Sequence, residues 1–131
     1  MLAEIETEGG QGYRQIIRAG QHQFFADLSA DKGGKGAAPD PHQLFYAAWG
    51  ACTNMTLQLY CQRKNWPLES VKTTFAEERR AGQTWVTKRI ELTGPLDEAQ
   101  QARLQQIAEK CPVNQLITGP TQIIREWVFQ A

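Results

Sequence analysis

Residues 40–67, DPHQLFYAAWGACTNMTLQLYCQRKNWP, decide the fold. Asp40 suits a helix N-cap, Pro41 suits the first helical position, and Gln43 completes an Asp-x-x-Gln capping box. The helix so begun runs to Lys64, where Asn65, Trp66 and Pro67 stop it. Its middle, from Leu44 to Tyr60, is apolar nearly all round, interrupted by Thr53, Asn54, Thr56 and Gln58. A helix of that kind is either buried or transmembrane. The apolar run is short and broken against a span of about 20 residues, so it reads as buried.

Upstream, LAEIETE, YRQIIRAG and HQFFADL read as strands, the last two joined by a tight turn at Gly20-Gln21. SADKGGKGAAPDP then reads as one long mobile loop, a kind of segment that is often functional. Downstream, SVKTTFAEERR and QTWVTKRIELTG alternate on either side of Ala81-Gly82, predicting an antiparallel hairpin with one wet face. A second helix is expected from near Pro95-Leu96-Asp97, with Leu104, Ile107, Ala108 and Cys111 as its inward stripe. Pro112 interrupts it, PVNQLI continues in a new direction, and TQIIREWVFQ alternates as a closing strand. The fold class is therefore α+β with antiparallel sheets. A helix apolar on every side needs more cover than one small sheet and one further helix provide. That points to a partner subunit, an identical one.

The 131 residues suit a single domain, 1–131, with one core. Lys plus Arg equals Asp plus Glu at 14 each, so neither a nucleic-acid footprint nor a basic membrane patch is expected. MLAEIETEGG lacks the basic start and apolar stretch of a secretion signal, and three cysteines do not make a disulfide scaffold. A cytoplasmic protein with reduced thiols follows, in which any disulfide is transient and chemical.

Cys61 follows Cys52 by about two and a half helical turns, so the two thiols point to opposite sides and cannot be bridged. Cys61 reads as a small apolar filler. Cys52 sits among Ala47, Ala48, Gly50 and Ala51, which admit another backbone very closely. Taken alone it reads as core, since mid-helix burial raises a thiol pKa, and a functional Cys52 needs a cation nearby. Cys111 precedes Pro112; if a helical turn follows, its thiolate is favoured by the dipole and free N–H groups there, and a structural role stands equally open.

PDPHQLFYAAWGACTNMTLQLYCQRKNWPLESV, followed by IAEKCPVNQLI, resembles the OsmC-like family, which includes organic hydroperoxide resistance proteins. The resemblance covers roughly residues 38 to 129. It implies an intertwined homodimer with antiparallel sheets wrapped around two central buried helices and active sites at the subunit interface. It also implies thiol peroxidase chemistry on organic hydroperoxides, with Cys52 peroxidatic and Cys111 resolving. A thiol or lipoyl-type dithiol would be the reductant, and no cofactor or metal is called for. Phe45, Trp49 and Met55 would line an apolar site, though each is by default core.

In this family an arginine holds the thiolate, itself oriented by a glutamate early in the cysteine helix. Here that region reads DPHQL, with His42 and Gln43 and no acid. Gln43 has its place in the capping box, and His42 could accept from an arginine only when neutral. The candidate arginines are Arg14 and Arg18, expected to share one face of a strand, with Lys32 and Lys35 as further cations. Two other readings compete. A hot-dog thioesterase would need an acid or polar orienting group on the central helix, and residues 44 to 61 hold no Asp or Glu. A non-catalytic dimer binding a small hydrophobic ligand is the alternative from a different class.

Overall fold

The computed structural model describes residues 4–131. They form two compact units, one reaching to Ala48 and one from Trp49 to Ala131. The class is α+β with antiparallel sheets, as the patterning predicts.

The first unit holds β1 (Ile5–Gly9), β2 (Gln15–Ala19) and β3 (His22–Ala26) in a three-stranded antiparallel meander. Leu2 and Ala3, expected to open the first strand, lie outside the described residues. Gly20-Gln21 makes the turn between β2 and β3, with Gly20 at φ 61, where a side chain would be strained. Arg14 lies just before β2, and Arg18 lies within it opposite Gln23.

The segment after β3 is more tightly built than a mobile loop. Asp27 is buried and organises it. One carboxylate oxygen accepts from the N–H of Leu28 at 2.8 Å, and the other accepts from Lys35 at 3.3 Å and Ala37 at 3.2 Å. The Asp27 N–H in turn donates to the Pro39 carbonyl at 3.1 Å. Glycines and alanines alone suggest freedom, but one buried carboxylate satisfies three backbone donors and removes it.

Helix α1 (Pro41–Lys64) starts as its sequence dictates. The Asp40 side chain accepts from the Gln43 N–H at 2.9 Å, and the Gln43 side chain accepts from the Asp40 N–H at 3.0 Å. At the other end Asn65 turns left-handed at φ 60, while Asn65 N–H donates to Gln62 and Trp66 N–H to Cys61. This pair of bonds is a Schellman stop.

In the second unit, β4 (Ser70–Arg80) and β5 (Gln83–Thr93) form the expected hairpin through Ala81-Gly82. Val71 faces Leu92, Thr73 faces Ile90 and Phe75 faces Lys88, and these residues are the half-buried positions of the alternation. Gly50 allows the close approach expected of the small residues around Cys52: a methyl there would stand 3.3 Å from the Phe75 ring. Helix α2 (Glu98–Ala108) begins at a second capping box, Asp97 with Gln100. Leu57 and Cys61 of α1 meet Leu104, Ile107 and Ala108 of α2 in the core, with Val71, Ile90 and Leu92 packed against them. Each fully buried Leu there stabilises by about 1.5–3 kcal/mol.

Three further expectations change. Cys111 is not the last residue of the α2 stripe; α2 ends at Ala108, and Cys111 caps α3 (Pro112–Thr118). Helix α1 buries one stripe, Gly50, Thr53, Leu57 and Cys61, while Phe45, Met55 and Leu59 stay exposed. TQIIREWVFQ forms no strand, because it pairs with no other strand among the described residues; Ile124 and Phe129 are each 88% exposed.

Burial with three backbone donors makes Asp27 a pH-linked group. The Ala37 N–H, then those of Leu28 and Lys35 and the Arg14 charge, outweigh desolvation and hold its pKa below the ordinary carboxylate value. Its stabilisation is complete above that ordinary value, about 4, and is lost as pH falls through the depressed one. Thermal melts from pH 6 to pH 2 should therefore show a shallower acid dependence in Asp27→Asn than in the parent chain, from a lower starting stability.

Candidate functional site

Cys52 lies on α1 one residue before Thr53, just off the buried stripe, and is half-buried. Cys111 is 0% exposed. The route to it is local: α2 ends, Glu109 and Lys110 turn, and the Cys111 N–H returns to the Ala108 carbonyl at 3.5 Å. Pro112 has no N–H to give, so the first available donors are those of Val113 and Asn114. The Asn114 N–H donates to Cys111 Sγ at 3.4 Å. Asn114 is itself buried, and its Nδ2 donates to the Glu109 carbonyl at 3.0 Å and to Glu109 Oε2 at 3.3 Å. That side chain ties the end of α2 to the start of α3.

The Cys52 and Cys111 side chains are near enough to act on each other's titration. Burial pushes the Cys52 pKa up, and the bond and charge of Cys111 push the same way, against the Val113 N–H and the Thr56 hydroxyl. Burial also opposes a Cys111 thiolate. There, however, the Cys52 S–H, the Asn114 N–H, the Thr53 hydroxyl and the Val113 N–H outweigh it and hold the pKa below the ordinary thiol value. The Thr53 hydroxyl is fully buried and also lies 3.0 Å from the Trp49 carbonyl, to which it donates. Cys61, pushed up by burial alone, is a core residue as its spacing predicts.

Of the other candidates, the Trp49 ring lies 5.0 Å from that of Phe75 at a tilt of 34°, with Lys88 Nζ 4.8 Å above it, and Met55 is exposed. Asn54 accepts from the Thr73 hydroxyl at 2.7 Å, which fixes this turn of α1 on β4. His42 and Phe45 are exposed in the part of α1 that belongs to the first unit. Within that unit Arg14 stacks 4.0 Å over Phe25. Arg18 Nη1 lies 3.2 Å from Glu8 and 3.6 Å from Glu6. Lys32 closes a 3-10 turn, and the Lys35 N–H is held by Asp27.

Sequence reasoning brings Cys52 and Cys111 forward but overlooks Thr53, Thr56 and Asn114. A threonine at i+4 from a helical cysteine was the readable signal for Thr56. Thr53 and Asn114 matter only because two distant segments meet.

Residues 33–125 match the family model for OsmC-like protein. No curated protein matches the chain. Among solved structures, a Psychrobacter arcticus protein ascribed to osmotic stress and detoxification responses superposes with a TM-score of 0.74 at 18% identity, over 91% of this chain and 90% of that one. An organic hydroperoxide resistance protein OsmC from Legionella pneumophila gives 0.64 at 23% identity, over 88% of each chain. The organic hydroperoxide resistance protein OhrB of Bacillus subtilis gives 0.61 at 20%, over 91% of this chain and 92% of that one.

The differing exposure of the three thiols predicts their order of labelling. In the native reduced protein an uncharged alkylating reagent should modify Cys52, while Cys61 and Cys111 react only after unfolding. Peptide mass spectrometry of a timed alkylation reads this directly.

Proposed function

The chain belongs to the OsmC-like family, and from that membership we propose that residues 1–131 act as one domain of a thiol-dependent peroxidase for organic hydroperoxides in oxidative-stress defence. The nearness of a half-buried Cys52 to a fully buried Cys111 carries this reading. In this reading the half-buried Cys52 is the thiol that meets the peroxide, and Cys111 is the thiol that resolves what forms there. Two structural neighbours, at 20–23% identity, bear the name of organic hydroperoxide resistance proteins.

In this mechanism the Cys52 thiolate attacks the terminal peroxide oxygen, the O–O bond breaks, and an alcohol leaves with a sulfenic acid on Cys52. Cys111 attacks that sulfur, expels the oxygen as water and closes the disulfide. A thiol or lipoyl-type dithiol restores both thiols by exchange. Trp49 and Met55, with Phe45 and His42 nearer the start of α1, are the candidates to line the alkyl site. Arg14 and Arg18 remain the candidate cations for the thiolate. Arg18 already has carboxylates on β1 to orient it, Glu6 and Glu8, in place of the acid that the first turn of α1 lacks.

The working form in this reading is a homodimer in the cytoplasm. The apolar surface left open by the single chain supports it: Met55 and Leu59 on α1, and Ile123, Ile124, Trp127, Val128 and Phe129 in the terminal segment. Large apolar patches of this kind mark interaction surfaces. No helix of the described residues is long and apolar enough to cross a membrane.

Equimolar organic hydroperoxide should convert the reduced protein to a Cys52–Cys111 disulfide, faster than hydrogen peroxide does, and Cys52→Ser should abolish the reaction. Thiol counting and peptide mapping check it. Three unreacted thiols after prolonged exposure would overturn the peroxidase and favour a dimeric binder of a small hydrophobic ligand. Sedimentation should give twice the chain mass, and Trp127→Asp with Phe129→Asp should shift the protein toward monomer.

A further inference from the structure

A disulfide closes only where two sulfurs meet at the right separation and angle, with Cα atoms about 4.4–6.8 Å apart. In the peroxidase reading, on which this inference rests, Cys111 has to meet that geometry each time a sulfenic acid forms on Cys52. We propose that Asn114 is the positioning residue of this second step: its side chain, anchored on Glu109, holds Cys111 where it closes the disulfide.

Cys111 stands in the corner between α2 and α3, and Asn114 grips the corner from both sides. Its main-chain N–H donates to Cys111 Sγ at 3.4 Å. Its Nδ2 reaches back across the corner, donating to the Glu109 carbonyl at 3.0 Å and to Glu109 Oε2 at 3.3 Å. Both hydrogens of the amide are thereby spent on one residue. On the far side the Gln115 N–H donates to the Cys111 carbonyl at 3.0 Å, and the Thr118 hydroxyl to the Asn114 carbonyl at 2.8 Å. The approach from α2 is held less closely: the Cys111 N–H reaches the Ala108 carbonyl only at 3.5 Å, and Pro112 has no N–H. The Asn114 amide supplies the tie that the backbone leaves slack there.

Burial gives this tie its use. Cys111 is 0% exposed, so it cannot search for a partner in solvent and has to be presented to one. Holding a reacting group in place replaces that search. Burial opposes a Cys111 thiolate, and the Asn114 N–H is among the donors that hold its pKa below the ordinary thiol value all the same. Asn114 acts through Cys111 and takes no proton or electron itself.

In the step concerned the Cys111 thiolate attacks the Cys52 sulfur and the S–O bond breaks. The oxygen leaves as hydroxide, which solvent protonates to water. The hydroperoxide has already taken the two electrons in forming the sulfenic acid, so closure needs no further oxidant.

The test is a single-turnover reaction of the reduced protein with tert-butyl hydroperoxide, in the parent chain, Asn114→Ala, Glu109→Ala and Glu109→Gln. Acid quenching and mass spectrometry follow loss of the Cys52 thiol and appearance of the Cys52–Cys111 disulfide as separate rates. Asn114→Ala should keep the first rate and slow closure about tenfold or more, leaving the sulfenic acid open to capture by dimedone. Glu109 is exposed, so its truncation leaves the fold intact and the Glu109 pair decides even where Asn114→Ala fails to fold. Glu109→Ala loses the 3.3 Å bond and should slow closure by less, while Glu109→Gln keeps an acceptor there and should restore the parent rate. Closure at the parent rate in Asn114→Ala, equal closure in the two Glu109 variants, or equal slowing of both steps would overturn the inference. Diamide supplies the arm without peroxide: Cys52 adds across its N=N bond, and Cys111 displaces the nitrogen to give the disulfide and a hydrazine. A parent that ignores the hydroperoxide but closes with diamide, more slowly in Asn114→Ala, would sustain the positioning role and sink only the peroxidase reading. A parent that forms no Cys52–Cys111 bond with diamide would overturn the positioning role.

Discussion

The structure of the second unit depends on one stripe of α1. Gly50, Thr53, Leu57 and Cys61 recur about once per turn and are the helix positions the chain buries. They do not all face the same surroundings. Gly50 has no side chain, so the Phe75 ring of β4 comes against the helix backbone. Thr53 puts a hydroxyl between a helix carbonyl and a sulfur. Leu57 and Cys61 supply the apolar contacts to α2. The stripe thus changes from close approach through polarity to ordinary core along its length, and Cys52 stands beside its polar position.

The second constraint is the break between α2 and α3. A continuous helix through Cys111 would use its neighbouring N–H groups internally and leave none for sulfur. Pro112 prevents this, and Asn114 holds the resulting corner by bonding back to Glu109. The result is an anion-favouring environment made without a cation, from neutral donors placed by the chain's own geometry. It accords with the direction of the Cys111 pKa, which these donors hold down against burial.

The first unit solves a different problem. Its Gly- and Ala-rich segment has little side chain to pack, so order comes from satisfied backbone donors around Asp27. Arg18 is held between two glutamates of β1 by the meander's register, which sets Glu6 directly opposite Arg18. Polar satisfaction rather than apolar burial shapes this part of the molecule.

Much of this was legible in the residues. Capping boxes, the Asn65 stop, the two glycine turns and the alternation of β4 and β5 are local, and their physics acts within a few residues. The pairing of Cys52 with Cys111 was suggested only by resemblance, since no local rule brings distant segments together. The terminal segment shows the limit most clearly. TQIIREWVFQ has the alternation of a strand, but a strand exists only where another backbone offers it hydrogen bonds, and that is settled by the assembled structure. The chain's own pattern determined which elements form and which faces are apolar. Which donors reach the Cys111 sulfur was decided by tertiary structure alone, because it depends on where the N–H of Asn114 points once α2 has ended and α3 has begun.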